Sequence, residues 1–111
     1  MLNSYILLDL ETTGLSAKED AIIEIGALKV VDGKIVDKIE TFINPARKIP
    51  SRITEVTGIN DEMVENAPYI ADVIADVVKF LEGFTIIGHN IMFDYSFLKR
   101  AAVNHKYSLE T

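Results

Sequence analysis

The sequence lacks cysteine, and no part of it is a long apolar run. Without cysteine the chain has neither disulfides nor thiolate metal sites, so oxygen atoms or its two histidines would have to hold any metal. No stretch approaches the roughly 20 apolar residues of a membrane span, and no basic segment precedes an apolar signal segment at the N-terminus. We therefore expect a cytoplasmic protein without membrane contact, and a hard divalent cation as any bound metal.

Positive charge is scarce as well. The chain has 11 Lys and Arg against 17 Asp and Glu, which gives a net charge of -6. This balance argues against a broad basic face for nucleic acid, because phosphate neutralisation dominates such binding. An acidic cluster can still bind a polyanion when divalent cations lie between them. The 111 residues, 49% of them apolar, suffice for one compact domain and are too few for two.

The apolar pattern of the first half predicts a sheet. The run Tyr5–Leu10 is nearly all apolar and stops at Thr12-Thr13-Gly14, as a buried central strand ending in a turn does. The stretches Ile22–Val31 and Lys34–Ile43 are typical of strands, and Asp32-Gly33 between them is a strong hairpin signal. We expect these two strands to pair antiparallel.

The second half predicts helices that alternate with a strand. Apolar residues recur at helical spacing over Ala71–Leu81 and again over Ile91–Val103, and Thr85–Gly88 between them is a short apolar strand. A parallel crossover onto the sheet follows from this order. A short helix is also expected from a Ser51 cap through Glu55, ended by Gly58.

Carboxylates follow the first predicted strand. Residues two apart on a strand point to the same face, so Asp9 and Glu11 can converge at its carboxyl end. Sheets with parallel crossovers bind ligands at such ends. The pair alone is weak evidence, because an Asp-x-Glu before a turn is often only a solvated turn with a capping residue.

A third carboxylate, Asp94, falls in the first turn of the last predicted helix, after Asn90. Each has an ordinary explanation, since Asp94 favours the helix dipole and Asn90 is a common N-cap. Those explanations leave to chance the meeting of Asp94 with Asp9 and Glu11 at one edge of the sheet. Three converging carboxylates repel one another unless cations balance them. Two Mg²⁺ or Mn²⁺ ions would suit such ligands and would support phosphodiester hydrolysis by metal-activated water.

Four segments match the motifs of a known family. They are Asp9-Leu10-Glu11-Thr12-Thr13-Gly14-Leu15, Ile22-Ile23-Glu24-Ile25-Gly26-Ala27, Ile53 with Thr57-Gly58-Ile59, and His89-Asn90-x-x-Phe93-Asp94. In order and spacing they closely resemble the DEDD superfamily of 3′-to-5′ exonucleases, to which the proofreading epsilon subunit of bacterial DNA polymerase III belongs. The resemblance covers essentially the whole chain.

The resemblance implies an α/β, RNase H-like fold, in which three antiparallel strands continue into a parallel part and helices pack on the faces of the sheet. By this likeness Asp9 would bridge both cations, Glu11 would hold the tighter one and Asp94 the second. The substrate would be a single-stranded or frayed 3′ end of DNA, with RNA still open, and a DNA polymerase subunit would be a partner. The pocket for the terminal nucleotide would be lined by Thr12, Thr13 and Leu15, with the backbone near Thr12 at the 3′ hydroxyl, and supported by Asn90 and Phe93.

The sequence departs from the family at its end. The family's third motif, a general-base His or Tyr before a fourth metal-binding Asp, follows one further strand, and the sequence stops before it. His105 and Glu110 have the spacing of that motif, but they follow the Asp94 helix by only a turn. We therefore interpret them as a chance match and not as the third motif. We expect residues 1–111 to be the N-terminal portion of a longer exonuclease without its last strand and helix. Weak or absent turnover and self-association through bare apolar sheet surface would follow.

Several residues and functions stay open at this point. Glu24, His89 and Phe93 fit structural roles better than functional ones, because each lies in or beside an apolar element. A phosphatase with Asp-x-Asp-x-Thr is disfavoured, since the second acid is a glutamate and a hairpin follows. A non-catalytic nucleic-acid-binding or polymerase-interaction module is the stronger alternative. Basic residues that could contact phosphates are Arg47, Lys48, Arg52, Lys99, Arg100 and Lys106.

Overall fold

A four-stranded mixed sheet carries the fold in this computed structural model, which describes residues 3–109. The strands are β1 (Tyr5–Thr12), β2 (Ile22–Val31), β3 (Lys34–Phe42) and β4 (Ile86–Ile87), in the sheet order β3-β2-β1-β4. The helices are α1 (Ser51–Thr57), α2 (Asp61–Val64), α3 (Ile70–Leu81) and α4 (Ile91–Asn104). Within the described residues, no helix is long and apolar enough to cross a bilayer.

The pairing of the strands confirms the predicted α/β architecture. β1 pairs antiparallel with β2 and parallel with β4, and β2 pairs antiparallel with β3. The hairpin between β2 and β3 turns at Asp32 and Gly33, whose φ angles of 52° and 78° explain the Asp-Gly sequence there. The crossover from β1 to β4 is parallel as expected, so both strands end at the same edge of the sheet.

One face of the sheet builds the main core. Alternate residues of β1, namely Ile6, Leu8 and Leu10, are buried together with Ile25 and Ala27 of β2. α3 and α4 both pack against this face. The shorter helices α1 and α2 lie beside a second, smaller cluster, which comprises Ile23, Ile49, Ile59 and Val64.

The helix ends differ from the sequence prediction in one respect. Ser51 was expected to cap α1, but Pro50 occupies the N-cap position and no side chain caps the helix. The φ of −56° at Pro50 suits the start of a helix, and Ser51 is already in its first turn. Gly58, with a φ of 78°, ends α1 as predicted. α2 was not predicted; its N-cap is Asn60, whose Oδ1 accepts a hydrogen bond from the Met63 N–H at 3.0 Å.

β4 is shorter than the predicted strand Thr85–Gly88. Only Ile86 and Ile87 pair with β1, although the Ile6 N–H also donates to the Thr85 carbonyl at 2.9 Å. The chain then comes so close to β1 at Gly88 that a Cβ there would lie 2.5 Å from the Leu8 carbonyl oxygen. Glycine is therefore required where the chain leaves the sheet for α4.

Candidate metal centre

The face of the sheet opposite the main core carries the predicted carboxylates. We call it the open face and define it by Leu7, Asp9 and Glu11 of β1 with their cross-strand partners Leu28, Gly26 and Glu24. Leu7 is 39% exposed and Asp9 is exposed, while Glu11 is half-buried. Strand alternation thus places Asp9 and Glu11 side by side at the carboxyl end of β1, as the sequence predicts.

α4 brings Asp94 to the same place. The Asp94 residue is only 5% exposed, and the backbone N–H of Leu10, which lies between Asp9 and Glu11 in the sequence, favours the charged form of its carboxylate. β4 ends at Ile87, so it leaves this N–H of β1 free for Asp94. Burial first, and then the charge of Asp9, raise the pKa of Asp94 to about 6, against the lowering effect of the Leu10 hydrogen bond.

The charges of other acids act on Glu11. Its pKa is raised by burial, and then by the charges of Asp9, Glu24 and Asp94 in that order. Each of these neighbours is an acid. The cluster therefore stores repulsion that a bound cation would relieve.

No protein cation neutralises this cluster within residues 3–109. The single salt bridge found there joins Lys38 Nζ to Glu40 Oε2 at 3.8 Å, and both side chains are largely exposed. Hard divalent cations prefer oxygen ligands, and the cluster offers carboxylates alone. The donor chemistry therefore fits Mg²⁺ or Mn²⁺.

The arrangement of these donors is less complete than their chemistry. Among the described side chains, no three of His, Asp or Glu are already placed as a ready group of metal ligands. Six oxygen ligands are normal for Mg²⁺. The carboxylates would have to move together on binding, and water or substrate would supply the remaining oxygens.

Two further acids border the cluster. Glu24 lies directly opposite Glu11 in the β1–β2 pairing, and its pKa is raised by burial, then by Asp9 and Glu40. Sequence reasoning treated Glu24 as a structural residue and did not consider Glu40. With His89, both line a cleft of about 710 Å³ that also reaches Asp9.

The turn after β1 is built by its own hydroxyl groups. Thr12 Oγ1 donates to the Gly14 carbonyl at 2.6 Å. Thr13 is buried, and its Oγ1 donates to Asp20 Oδ1 at 3.2 Å and accepts from the Ala21 N–H at 3.0 Å. These hydroxyls shape the loop, so contacts of Thr12 and Thr13 with a substrate would come from their backbone.

The remaining predicted substrate residues differ in exposure. Leu15 is 87% exposed at the end of this turn. Asn90 is exposed at the N-cap position of α4, although its side chain makes no capping hydrogen bond. Phe93 is half-buried and packs on Phe97, with ring centroids 5.0 Å apart, so core packing accounts for it.

His105, interpreted as a chance match to the third motif, lies far from the carboxylates. His105 follows the C-terminal end of α4, whereas Asp94 is in its first turn. At about 1.5 Å per residue, this 14-residue helix is roughly 20 Å long. Glu110, the second residue of that chance match, lies outside the described residues.

Comparison with known families and curated proteins places these residues in context. A family model described as Exonuclease matches residues 6–110. The chain is 49% identical over 96 residues to the DNA polymerase III PolC-type of Thermotoga petrophila, covering 86% of this chain and 7% of that protein. It is 46% identical over 98 residues to the PolC-type protein of Bacillus subtilis, covering 88% and 7%. The chain therefore spans less than a tenth of the length of these relatives.

Solved structures share the fold. Exonuclease I in its apo form matches with a TM-score of 0.83 at 16% sequence identity, over 97% of this chain and 26% of that one. Exonuclease I of E. coli in complex with a dT13 oligonucleotide matches equally well, with a TM-score of 0.83 and 16% identity over 96% of this chain and 25% of that one. The RNase H-like fold predicted from the sequence is thereby confirmed.

Proposed function

Because the chain belongs to the exonuclease family, we propose that it forms the cation-binding part of a 3′-to-5′ exonuclease. The reaction would hydrolyse the terminal phosphodiester bond of a DNA strand and release a nucleoside monophosphate. Asp9, Glu11 and Asp94 would hold two divalent cations.

A single contact carries this proposal. The Asp94 carboxylate of α4 lies close enough to β1 for the Leu10 N–H and the charge of Asp9 both to act on its pKa. The fold maintains this contact although burial and Asp9 both disfavour the charge of Asp94. A purely structural aspartate would gain more from a basic partner, and none is paired with it in the part of the chain that the structure describes.

The residues of the chain would bind and orient the substrate around this cluster. When bound, Mg²⁺ or Mn²⁺ would supply positive charge for the scissile phosphate and activate the attacking water. The exposed Leu15 would contact the terminal nucleotide, and Asn90 would approach its sugar. Three carboxylates without a preformed arrangement give weak cation affinity, so we expect slow turnover by the 111 residues alone.

The partners would be nucleic acid and a polymerase. The relatives are PolC-type DNA polymerase III proteins, and E. coli exonuclease I has been solved with a dT13 oligonucleotide. We therefore favour single-stranded DNA as the substrate, a DNA polymerase as the partner and the cytoplasm as the location.

A non-catalytic nucleic-acid-binding or polymerase-interaction module is the second candidate. One observation favours it: no ready group of three metal ligands exists among residues 3–109. Such a module would need no cation at Asp9.

Calorimetric titration with Mn²⁺ separates the two candidates. We expect the native chain to release heat on Mn²⁺ binding and Asp9→Asn to lose most of it, because a ligand charge is removed. Asp37→Asn is the matched control, since Asp37 is an exposed acid on β3 that accepts only the Lys38 N–H. The same three proteins are then incubated with Mn²⁺ and single-stranded DNA labelled at either end.

Stepwise loss of the 3′ label, dependent on Asp9, would support the exonuclease. Equal Mn²⁺ heats for the native chain and Asp9→Asn would contradict it and favour the non-catalytic module. Cleavage that begins at the 5′ end would also contradict the proposal.

A further inference from the structure

A second cavity lies behind the turn that follows β1. Its volume is about 370 Å³, within the range of roughly 300 to 1,000 Å³ typical of small-molecule pockets. Four segments enclose it: the loop between β1 and β2, the loop after β3, the start of α3 and the second half of α4. None of the three clustered carboxylates lines it.

Several basic side chains line this cavity, although the chain as a whole is acidic. Lys18, Arg47 and Arg100 line it together with His105. Neither Lys18 nor Arg100 forms a salt bridge with any residue between 3 and 109. Guanidinium and ammonium groups that line one cavity without acidic partners can bind a phosphate group.

Asp20, the acid in the cavity wall, already accepts hydrogen bonds from neighbouring residues. Asp20 accepts hydrogen bonds from Thr13 Oγ1 at 3.2 Å and from the Ser16 N–H at 3.0 Å. Its carboxylate is therefore engaged with the turn after β1 and is not paired with the basic side chains. The positive charge of the cavity remains available to an anion.

Part of the remaining cavity wall is apolar and aromatic. Tyr69 is 52% exposed beside it, and Phe97 and Ile43 contribute buried apolar surface. A phosphate alone would leave the exposed part of Tyr69 in water. A ligand with one anionic end and one flat, stackable end would use both parts, because bases stack on aromatic side chains.

We propose that this cavity binds a nucleoside monophosphate without a metal ion. Lys18 and Arg100 contact the phosphate, and the base lies against Tyr69. The site goes beyond the proposed nuclease function and does not depend on it, because the cation cluster lies on other residues. Asp20 belongs to the cavity wall and also holds Thr13, so the ligand lies directly behind the turn that follows β1.

Binding is tested by titrating the ¹⁵N-labelled chain with adenosine 5′-monophosphate in EDTA, which removes any role of divalent cations. We expect saturable shifts of the amide signals around Lys18 and Arg100. Arg100→Ala should weaken binding by about tenfold, since a charge-assisted hydrogen bond is lost. Arg52→Ala removes the same charge from an exposed position of α1 outside the cavity and should change the affinity by less than about twofold.

Additional variants and ligands test the site and the contact with the base separately. If circular dichroism shows that Arg100→Ala is unfolded, Lys18→Ala on the exposed loop replaces it. Inorganic phosphate and adenosine, added separately, should each bind more weakly than the monophosphate. Equal affinity of inorganic phosphate would overturn the contact with the base, and equal affinities of Arg100→Ala and Arg52→Ala would overturn the site itself. Asp9→Asn should bind as the native chain does; loss of binding there would place the ligand at the carboxylates instead.

Discussion

The two faces of β1 use neighbouring residues for opposite purposes. On the core face Ile6, Leu8 and Leu10 are at most 4% exposed. On the open face the alternate residues include Asp9 and Glu11, and the charges of Asp9, Glu24 and Asp94 all act on Glu11. The alternation of side chains along a strand thus lets one element serve as both core and candidate site.

The contrast between the two faces indicates which of them stabilises the site. The open face stores repulsion among carboxylates, so it opposes folding when no cation is present. The core face, with α3 and α4 packed on it, must supply the free energy that keeps these acids together. Changes on the core face should therefore destabilise the chain, and removal of a charge from the open face should stabilise it.

The largest effect is expected from the adjacent leucines of β1. Leu8→Ala leaves a cavity in the core and should lower the free energy of unfolding by about 3 to 4 kcal/mol. Leu7→Ala, on the open face, should lower it by less than about 1 kcal/mol, because Leu7 is already partly solvated. Urea unfolding of both variants measures the contrast, and equal losses would show that the open face is covered in solution.

The next effect tests the two glycines that flank β1. A Cβ at Gly88 would lie 2.5 Å from the Leu8 carbonyl oxygen, whereas one at Gly26 would lie 3.6 Å from the Asp9 carbonyl oxygen. Gly88→Ala should therefore push β4 from β1 and cost roughly 2 to 3 kcal/mol, and Gly26→Ala should cost less than about 1 kcal/mol.

Thermal or urea unfolding of the two glycine variants gives the comparison. Cation binding provides a second measurement, because displacement of β4 also moves α4 and Asp94. A Gly88→Ala chain with native stability and native Mn²⁺ uptake would contradict the close contact.

The pH dependence of stability tests the open face directly. The pKa of Asp94 is raised from 3.8 to about 6, so between these values the folded chain keeps a proton that the unfolded chain has lost. The contribution of Asp94 is therefore most favourable below pH 4 and is lost as the pH rises through 6. Since one pKa unit corresponds to about 1.4 kcal/mol, the change is at most about 3 kcal/mol.

Denaturant unfolding in EDTA from pH 4 to 8 measures this change. Asp94→Asn should flatten the profile and be the more stable protein at pH 8, because the neutral amide is not repelled by Asp9. Glu19→Gln, an exposed acid outside the cluster, should leave the slope intact. A native profile that rises from pH 4 to 7 in EDTA would show that the Asp94 charge is stabilised in the fold.

The sequence predicted the regular elements well because their periodicity is set by burial. The hairpin, the parallel crossover and the two long helices follow from apolar spacing and from Asp32-Gly33. α2 was not predicted, because its four residues are too few to show a helical period. β4 was predicted too long because its two residues are ended by the close approach of Gly88 to β1, which no local pattern reveals.

The sequence predicted which carboxylates share one edge of the sheet, but neither their further acidic neighbours nor the burial of Asp94. Asp9 and Glu11 share a strand, and their convergence follows from strand geometry alone. Glu24 lies next to Glu11 through the β1–β2 register, and the loop of residues 13–21 between those strands is too long to fix that register from sequence. The burial of Asp94 depends on the position of α4 over β1, which is a property of tertiary packing.

The smallest effect concerns a charge on the core face. Lys29 lies opposite Ile6, and its Nζ is 4.3 Å from the ring centroid of Phe80 and 4.7 Å from that of Phe84. Lys29→Met keeps the apolar stem and removes the charge, so it should cost about 1 kcal/mol through the lost cation–π contacts.

Lys38→Met is the matched control for this charge. Lys38 has an exposed carboxylate, Glu40, as its partner at 3.8 Å, so its loss should cost less than about 0.5 kcal/mol. Urea unfolding at low and high salt distinguishes the two, because salt screens the exposed pair more than the ammonium between the rings. Equal costs would mean that the stem of Lys29 alone accounts for its position, and that the core face of β2 gains nothing from the charge.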